Sequence, residues 1–293
     1  MIRWISGPVA AVVLGLPSAA LAQTDWTGFH IGANAAGSHD KVAADATLNI
    51  QQTSNLFVAG RGLVVVPGTT RALDASSSET NWFGGAQAGY QWQSGNIVFG
   101  AEAEFDPFSR NASVSQTQTL PITVLTPVTT IDSARDVRIN NQWSVRARLG
   151  VAFGSTLAYA TGGYASARAR VTSIDSFTNP GGAGAPNTDG STFNGGPEGP
   201  VVTTASSRRT MGGWTGGLGL EQALGGHFSV ALEYRHSDLG AKNFTLANQA
   251  TVNTGPQSHG TNGATGLVGG VSTGPTRVSL RSDAVSLRLN FRF

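Results

Sequence analysis

The chain has 293 residues, no cysteine, 12% charged side chains and a formal net charge of +2. The missing cysteine excludes disulfides, thiolate metal sites and a cysteine nucleophile, and the charged share is about half that of a usual soluble domain. The arginines are spread over separate segments rather than gathered in a basic run, which argues against a nucleic-acid partner.

Residues 1–22 have the three parts of a secretory leader. Arg3 supplies the positive start, Val9 to Leu16 is an uncharged apolar run, and Ala20-Leu21-Ala22 is a small-residue cleavage site. Cleavage is expected between Ala22 and Gln23, leaving one domain over residues 23–293. The apolar run is shorter than the ~20 residues a membrane helix needs, and Pro8 and Pro17 flank it. Membrane insertion therefore has to use strands.

The first strand is expected at about residues 28–37, with Phe29, Ile31, Ala33 and Ala35 on one face. Alternation of this kind is the signature of a strand with two unlike faces. A polar stretch, residues 38–78, has the composition of a loop. The second strand sets Trp82, Ala86, Ala88, Tyr90 and Trp92 against Asn81, Gln87, Gln91 and Gln93, and Ser94-Gly95-Asn96 turns it. The third sets Ile97, Phe99, Ala101, Ala103 and Phe105 against Glu102, Glu104 and Asp106. A Thr/Ser/Pro-rich loop runs from Pro107 to about Asn140.

The fourth strand carries Trp143, Val145, Ala147, Leu149, Val151 and Phe153 against Gln142, Ser144, Arg146 and Arg148. The fifth begins at Leu157 and Tyr159 and fades towards Arg168 and Arg170. A loop over about residues 171–210 includes Asn179-Pro180-Gly181-Gly182. The sixth strand sets Trp214, Leu218 and Leu220 against Thr215 and Glu221. The seventh sets Phe228, Val230, Leu232 and Tyr234 against Ser229, Ala231, Glu233 and Arg235. A loop over residues 240–276 leads to the last strand, where Val285, Leu287, Leu289, Phe291 and Phe293 alternate with Ser286, Arg288, Asn290 and Arg292.

Short turns therefore alternate with loops of roughly thirty to forty residues. Structureless connections of that length are rare in soluble domains. Outer-membrane barrels combine short periplasmic turns with long extracellular loops. Aromatics gather at both ends of the strands, as interfacial girdles do. Trp92, Phe99, Phe153, Tyr159, Phe228, Phe291 and Phe293 lie by the short turns, and Trp82, Phe105, Trp143, Trp214 and Tyr234 by the long loops. The expected fold is all-β, an eight-stranded antiparallel up-and-down transmembrane β-barrel with four long extracellular loops. The last strand is expected to pair with the first near residues 29–35 and close the ring.

Several motifs recur in order along the mature chain. They are Asp25-Trp26-Thr27-Gly28-Phe29, Gly84-Gly85 with Gln87-Ala88-Gly89-Tyr90, and Gly100-Ala101-Glu102-Ala103-Glu104-Phe105. Val145-Arg146-Ala147-Arg148-Leu149-Gly150, Tyr159-Ala160-Thr161-Gly162-Gly163, Glu233-Tyr234-Arg235 and Asn290-Phe291-Arg292-Phe293 follow. With these the chain resembles the small outer-membrane β-barrel proteins of alphaproteobacteria, an OmpA-like group of surface antigens, hemin-binding proteins and porin-family members. The resemblance implies outer-membrane lipid and the outer-membrane assembly machinery as partners, with Phe293 as an assembly signal. It implies no enzyme activity and no cofactor.

The inward faces hold Glu102, Glu104, Glu221 and Glu233 together with Arg146, Arg148, Arg235, Arg288 and Arg292. An eight-stranded barrel is just wide enough for its own side chains, so these charges are expected to pair as a structural plug. Glu102 and Glu104 have the types of an acid/base pair but point into that plug. His30, His39, His227, His236 and His259 are dispersed and lack metal-ligand spacing. Ser237 and Asp238 beside His236 are neighbours in sequence, which does not make a catalytic triad. Gly216-Gly217-Leu218-Gly219 lies within a strand pattern and is no phosphate loop. The leading function is structural support and surface display in the Gram-negative envelope. The alternatives are a porin-like channel for small solutes and loop-mediated binding of hemin or a host surface.

Overall fold

The computed structural model describes residues 24–54, 56–58, 62–64, 69–120, 129–179, 182–186, 192–195, 198–254 and 266–293. The expected leader, the junction at Ala22 and Gln23, His259 and the tips of the long connections lie outside these residues. Twelve strands follow one another: β1 (Gly28–Ser54), β2 (Leu56–Val58), β3 (Gly62–Val64), β4 (Thr69–Ser94), β5 (Ile97–Leu120), β6 (Thr129–Phe153), β7 (Thr156–Asn179), β8 (Gly182–Pro186), β9 (Thr192–Gly195), β10 (Glu198–Gly225), β11 (Phe228–Thr254) and β12 (Gly266–Arg292). The short strands form two small hairpins, β2 with β3 and β8 with β9. The eight long ones close a barrel in the order β1-β12-β11-β10-β7-β6-β5-β4. β12 closes it on β1, with Ile31 opposite Phe291 and Ala35 opposite Leu287.

The strands run much further than their lipid-facing stretches. β1 has 27 residues, which at ~3.3 Å per residue and ~40° tilt rises about 70 Å, against an apolar band of ~25 Å. Most of what composition assigns to the long connections is therefore paired strand standing above the membrane. The wall also changes character on the way up. β4 and β5 pair only between Ala86–Phe105 and Ser94–Ile97, and β10 and β11 only from Trp214–Asp238 to Gly225–Phe228. Above those points the ring parts along two seams. One sheet has the order β4-β1-β12-β11 and the other β5-β6-β7-β10.

An apolar core fills the space between the two sheets. Val42, Val278, Leu280, Phe244 and Leu246 face Val137, Ile139, Ala167, Val171 and Met211, all buried. In this upper part the outward positions are polar, including Lys41, Asp45, Arg138, Arg170 and Arg277. Lower down the pattern is reversed. Leu149, Leu218, Leu232, Leu287 and Leu289 are exposed on the outside, where lipid covers them, and the inside is charged. Two left-handed residues help to make the change. Asn141 has φ 49° and Gly240 has φ 64°. Each sits in a bulge, between Asn140 and Gln142 on β6 and between Asp238 and Ala241 on β11. An extra residue shifts the facing of everything beyond it. Buried positions accordingly move from even numbers (Gln142, Ser144, Arg146) to odd ones (Ile139, Val137) along β6.

Tyr159 departs from its expected place in the lower girdle. Its ring lies inside the barrel, because the outward positions of lower β7 belong to Ala158, Ala160 and Gly162. Its hydroxyl donates to Glu233 Oε2 at 2.9 Å.

Candidate functional site

The lumen is built in layers. At the periplasmic end the segment before β1 folds under the ring, where Thr24 N donates to Gly154 O at 3.2 Å. Trp26 enters the barrel and is fully buried against Val98, Ala152, Leu157 and Ala231. Its backbone N donates to Gln93 Oε1 at 2.7 Å, and the Arg292 guanidinium lies 4.5 Å from its ring centre. Asp25 remains outside, and the Thr27 N–H that donates to it at 2.9 Å holds its carboxyl below the usual range. Arg292 thus serves the tryptophan layer and donates to the Asp25 carbonyl at 3.1 Å, one level below the other charges.

Above that layer Glu102, Glu104, Arg146, Arg148, Glu221, Glu233, Arg235 and Arg288 converge from β5, β6, β10, β11 and β12. Alternation aims each side chain inwards, and the narrow ring brings residues distant in sequence together. Arg146 donates to Glu102 at 2.8 Å, to Glu233 at 2.5 Å and to Glu104. Arg288 reaches Glu102 at 2.6 Å and Glu233 at 2.5 Å. Arg235 bridges Glu104 and Asp106, the latter at 2.7 Å. Arg148 bonds Glu221 and lies 3.6 Å from the Tyr159 ring centre. Glu221 also accepts from Ser229 at 2.5 Å and Asn290 at 2.9 Å.

Residues beyond the sequence-level set complete this layer. His30 Nε2 lies 3.2 Å from Glu102. Asn34 donates to Gln87 at 3.2 Å, and Gln87 to Asn290 at 2.9 Å. Asp106 shares the alternation of Glu102 and Glu104, so the pattern already held it. The alternation of Phe29 and Ile31 likewise places His30 inward, whereas Tyr159 carried no such signal, because a Tyr on a small-residue strand looks like an ordinary interfacial aromatic.

The packing leaves little room. A Cβ on Gly32 would lie 2.3 Å from Asn290 Oδ1, and one on Gly89 2.6 Å from the His30 ring. Above the charges Arg110 bonds Asp40, which accepts from Ser38 at 2.8 Å, and the Arg110 guanidinium stacks 3.6 Å from the Phe108 ring centre. The apolar core then closes the top.

Outside, the aromatics frame the lipid band. Trp92 stacks on Phe99 at 5.6 Å, and Phe291 meets Phe228 and Phe293 edge-on near the turns. Trp143 packs on Tyr164 at 5.7 Å at the other border. Phe293 is exposed, and its N–H donates to Phe29 O at 2.9 Å. His236 lies at this outer border, with Nδ1 2.7 Å from Asp283. Its neighbour Ser237 points inward and bonds Thr215 at 2.8 Å, while Asp238 pairs with Arg281 at 2.9 Å. The three therefore form no catalytic array.

A closed ring with an apolar outside, a charged inside and two aromatic borders is the architecture of an outer-membrane protein. Residues 9–256 match the family described as Outer membrane protein beta-barrel domain. The chain belongs to that family. A relative from Brucella melitensis, the 31 kDa outer-membrane immunogenic protein, is 30% identical over 249 residues, covering 81% of this chain and 83% of its own. The protein of the same name from Brucella suis matches equally. Among solved structures, Ail of Yersinia pestis overlaps at a TM-score of 0.25 with 12% identity, over 83% of this chain and 97% of its own. The Escherichia coli outer membrane protease OmpT overlaps at 0.31 with 11% identity, over 89% and 97%. Overlap at that level leaves the architecture resting on the strand pairing itself. The protein is an outer-membrane β-barrel of the cell outer membrane, in contact with its lipid.

Proposed function

We propose that the protein is a sealed, non-enzymatic barrel that reinforces the outer membrane and holds a rigid two-sheet platform above it for surface display. The observation that carries this reading is the filled lumen. The Trp26 layer, the Arg–Glu layer, the Arg110–Asp40 layer and the apolar core follow one another along the axis. A porin needs a continuous wet path, and each of these layers interrupts one. The carboxylates that would serve acid/base chemistry are each neutralised by arginine and walled off from substrate. The immunogenic name of the Brucella relatives agrees with an exposed platform. Phe293, exposed beside Phe291, is the proposed contact for the assembly machinery. Planar-bilayer recording of the refolded protein tests the reading. Silence under applied voltage is expected, and stable ion-selective steps would replace it with the channel reading.

A further inference from the structure

The outer face of the β5-β6-β7-β10 sheet carries a feature that a sealed barrel does not need. Strand pairing sets Arg138 of β6 opposite Arg170 of β7, and Arg170 opposite Arg208 of β10. Neighbouring strands are ~4.8 Å apart, so three guanidinium groups start from one row about 10 Å wide. In the next row Arg168 lies between Asn140 and Thr210, while Arg209, opposite Ala169, alternates onto the other face at the open edge of β10. All five arginines are exposed. Sequence separation hid this patch, since its members come from three strands.

Like charges directly opposite one another destabilise a sheet, and among the described residues no carboxylate forms an ion pair with these arginines. Among the described residues the arginine ion pairs belong to Arg110, Arg135, Arg146, Arg148, Arg235, Arg281 and Arg288. The polar contacts of the patch are neutral. Arg138 Nε donates to Asn111 Oδ1 at 3.0 Å, and Arg170 Nη2 to Ser206 Oγ at 3.3 Å. Asp136 stands one row farther out, between Ser113 and Thr172. The opposite sheet is arranged differently. There Asp45 faces Arg277, and Asp238 faces Arg281.

Height above the lipid identifies the counterion. Tyr164 of β7 and its pair partner Trp214 belong to the outer aromatic border. Arg168 and Arg170 lie four and six residues beyond Tyr164 on the same strand and the same outward face, roughly 10 to 15 Å above it at ~3.3 Å per residue and ~40° tilt. An open basin of about 560 Å3 lies over Arg138, Arg168, Arg170, Arg208 and Arg209, and a second of about 520 Å3, which Asp136 also lines at its far side, adjoins it through Arg138 and Arg170. The patch is continuous with the lipid-facing wall beneath it. Its occupant must be anionic, must stand just outside the acyl layer and must be anchored in that layer.

We propose that this row binds the phosphate and acidic-sugar groups of lipopolysaccharide, the glycolipid of the outer leaflet, on the flank of the barrel. Guanidinium forks match phosphate oxygens in geometry and charge. The bound glycolipid supplies the negative charge that the sheet lacks and packs its acyl chains below Trp143, Tyr164 and Trp214.

The test uses the full barrel refolded in detergent and titrated with purified lipopolysaccharide. Wild type is compared with Arg138→Gln/Arg170→Gln/Arg208→Gln and with Lys41→Gln/Lys242→Gln/Arg277→Gln on the other sheet. The arginine triple should bind lipopolysaccharide at least tenfold more weakly, and the control triple should bind like wild type. Without glycolipid the arginine triple should melt at or above the wild-type temperature, because repulsion has been removed. With glycolipid it should lose the thermal shift that wild type gains. Dephosphorylated lipopolysaccharide should act on wild type as the intact form acts on the triple. Equal binding by all three proteins would overturn the proposal. So would a row that retains heparin or free inorganic phosphate as well as it retains lipopolysaccharide, since the occupant would then be another anion. If the triple fails to refold, Arg170→Gln alone and Arg170→Lys give the same reading, with lysine expected to recover part of the binding.

Discussion

Replacing Arg146 by methionine probes the lumen most severely. The substitution keeps an unbranched apolar stem and deletes a guanidinium that touches Glu102, Glu104 and Glu233, with the arginine side chain 0% exposed. Removing one member of a buried ion pair costs ~3–5 kcal/mol, because the orphaned charge stays buried. Here each carboxylate keeps another cation. Arg288 still reaches Glu102 and Glu233, and Arg235 still reaches Glu104. The low end of the range, ~3 kcal/mol, is therefore expected. Glu102→Gln alone should also destabilise. The double variant should cost less than the sum of the two, by about 1–3 kcal/mol, because each change relieves the imbalance left by the other. Urea unfolding in detergent, followed by tryptophan fluorescence and by heat-modifiable gel mobility, measures all three. A single variant within ~1 kcal/mol of wild type, or strict additivity in the double, would refute the network.

Three further outcomes follow from the same structure. Leu287→Arg puts a charge on the exposed lipid face and should cost ~2–4 kcal/mol near the midplane, read as a smaller folded fraction on heat-modifiable gels. Trp26→Ala removes the fully buried stopper and should cost ~3–5 kcal/mol in urea unfolding. Phe244→Asp buries a charge in the core between the two upper sheets. It should expose the extracellular strands to protease while the fragment within the membrane stays protected.

Much of the lower barrel was legible in the sequence, because lipid outside and charge inside impose a clean period of two. Leu287 and Arg288 could be placed on opposite faces from that rule alone. The upper half escaped for a physical reason. On β12 the apolar residues run Val285, Leu287 and Leu289 and then, higher up, Leu280 and Val278. The apolar phase slips from odd to even numbers, which resembles the end of a strand. The strand in fact continues without a bulge, with Leu280 opposite Val42 and Val278 opposite Ala44. Its surroundings change, from lipid outside to an apolar core inside. On β6 and β11 the facing itself shifts, through Asn141 and Gly240, and no local residue pattern announces that. The charged residues of the lumen were legible as a set, because inward alternation names them. Their partners were not, because pairing depends on which strands meet across the ring. The arginine row on the outer face was hidden for the same reason.

One continuous wall changes its surroundings on the way up, charged inside and lipid-covered below, apolar inside and wet outside above. The chain has no cysteine, so single cysteines report accessibility cleanly. Cysteine placed in turn at Arg277, Val278, Ser279, Leu280, Leu287, Arg288 and Leu289 on β12 can be challenged on intact cells with a membrane-impermeant maleimide. Labelling is predicted at 277 and 279 only, with 278 and 280 protected by the core, 287 and 289 by lipid, and 288 by the plug. Labelling at 288 would show an open lumen, and equal labelling at 277–280 would show a loop instead of a paired wall, so either result would contradict the account.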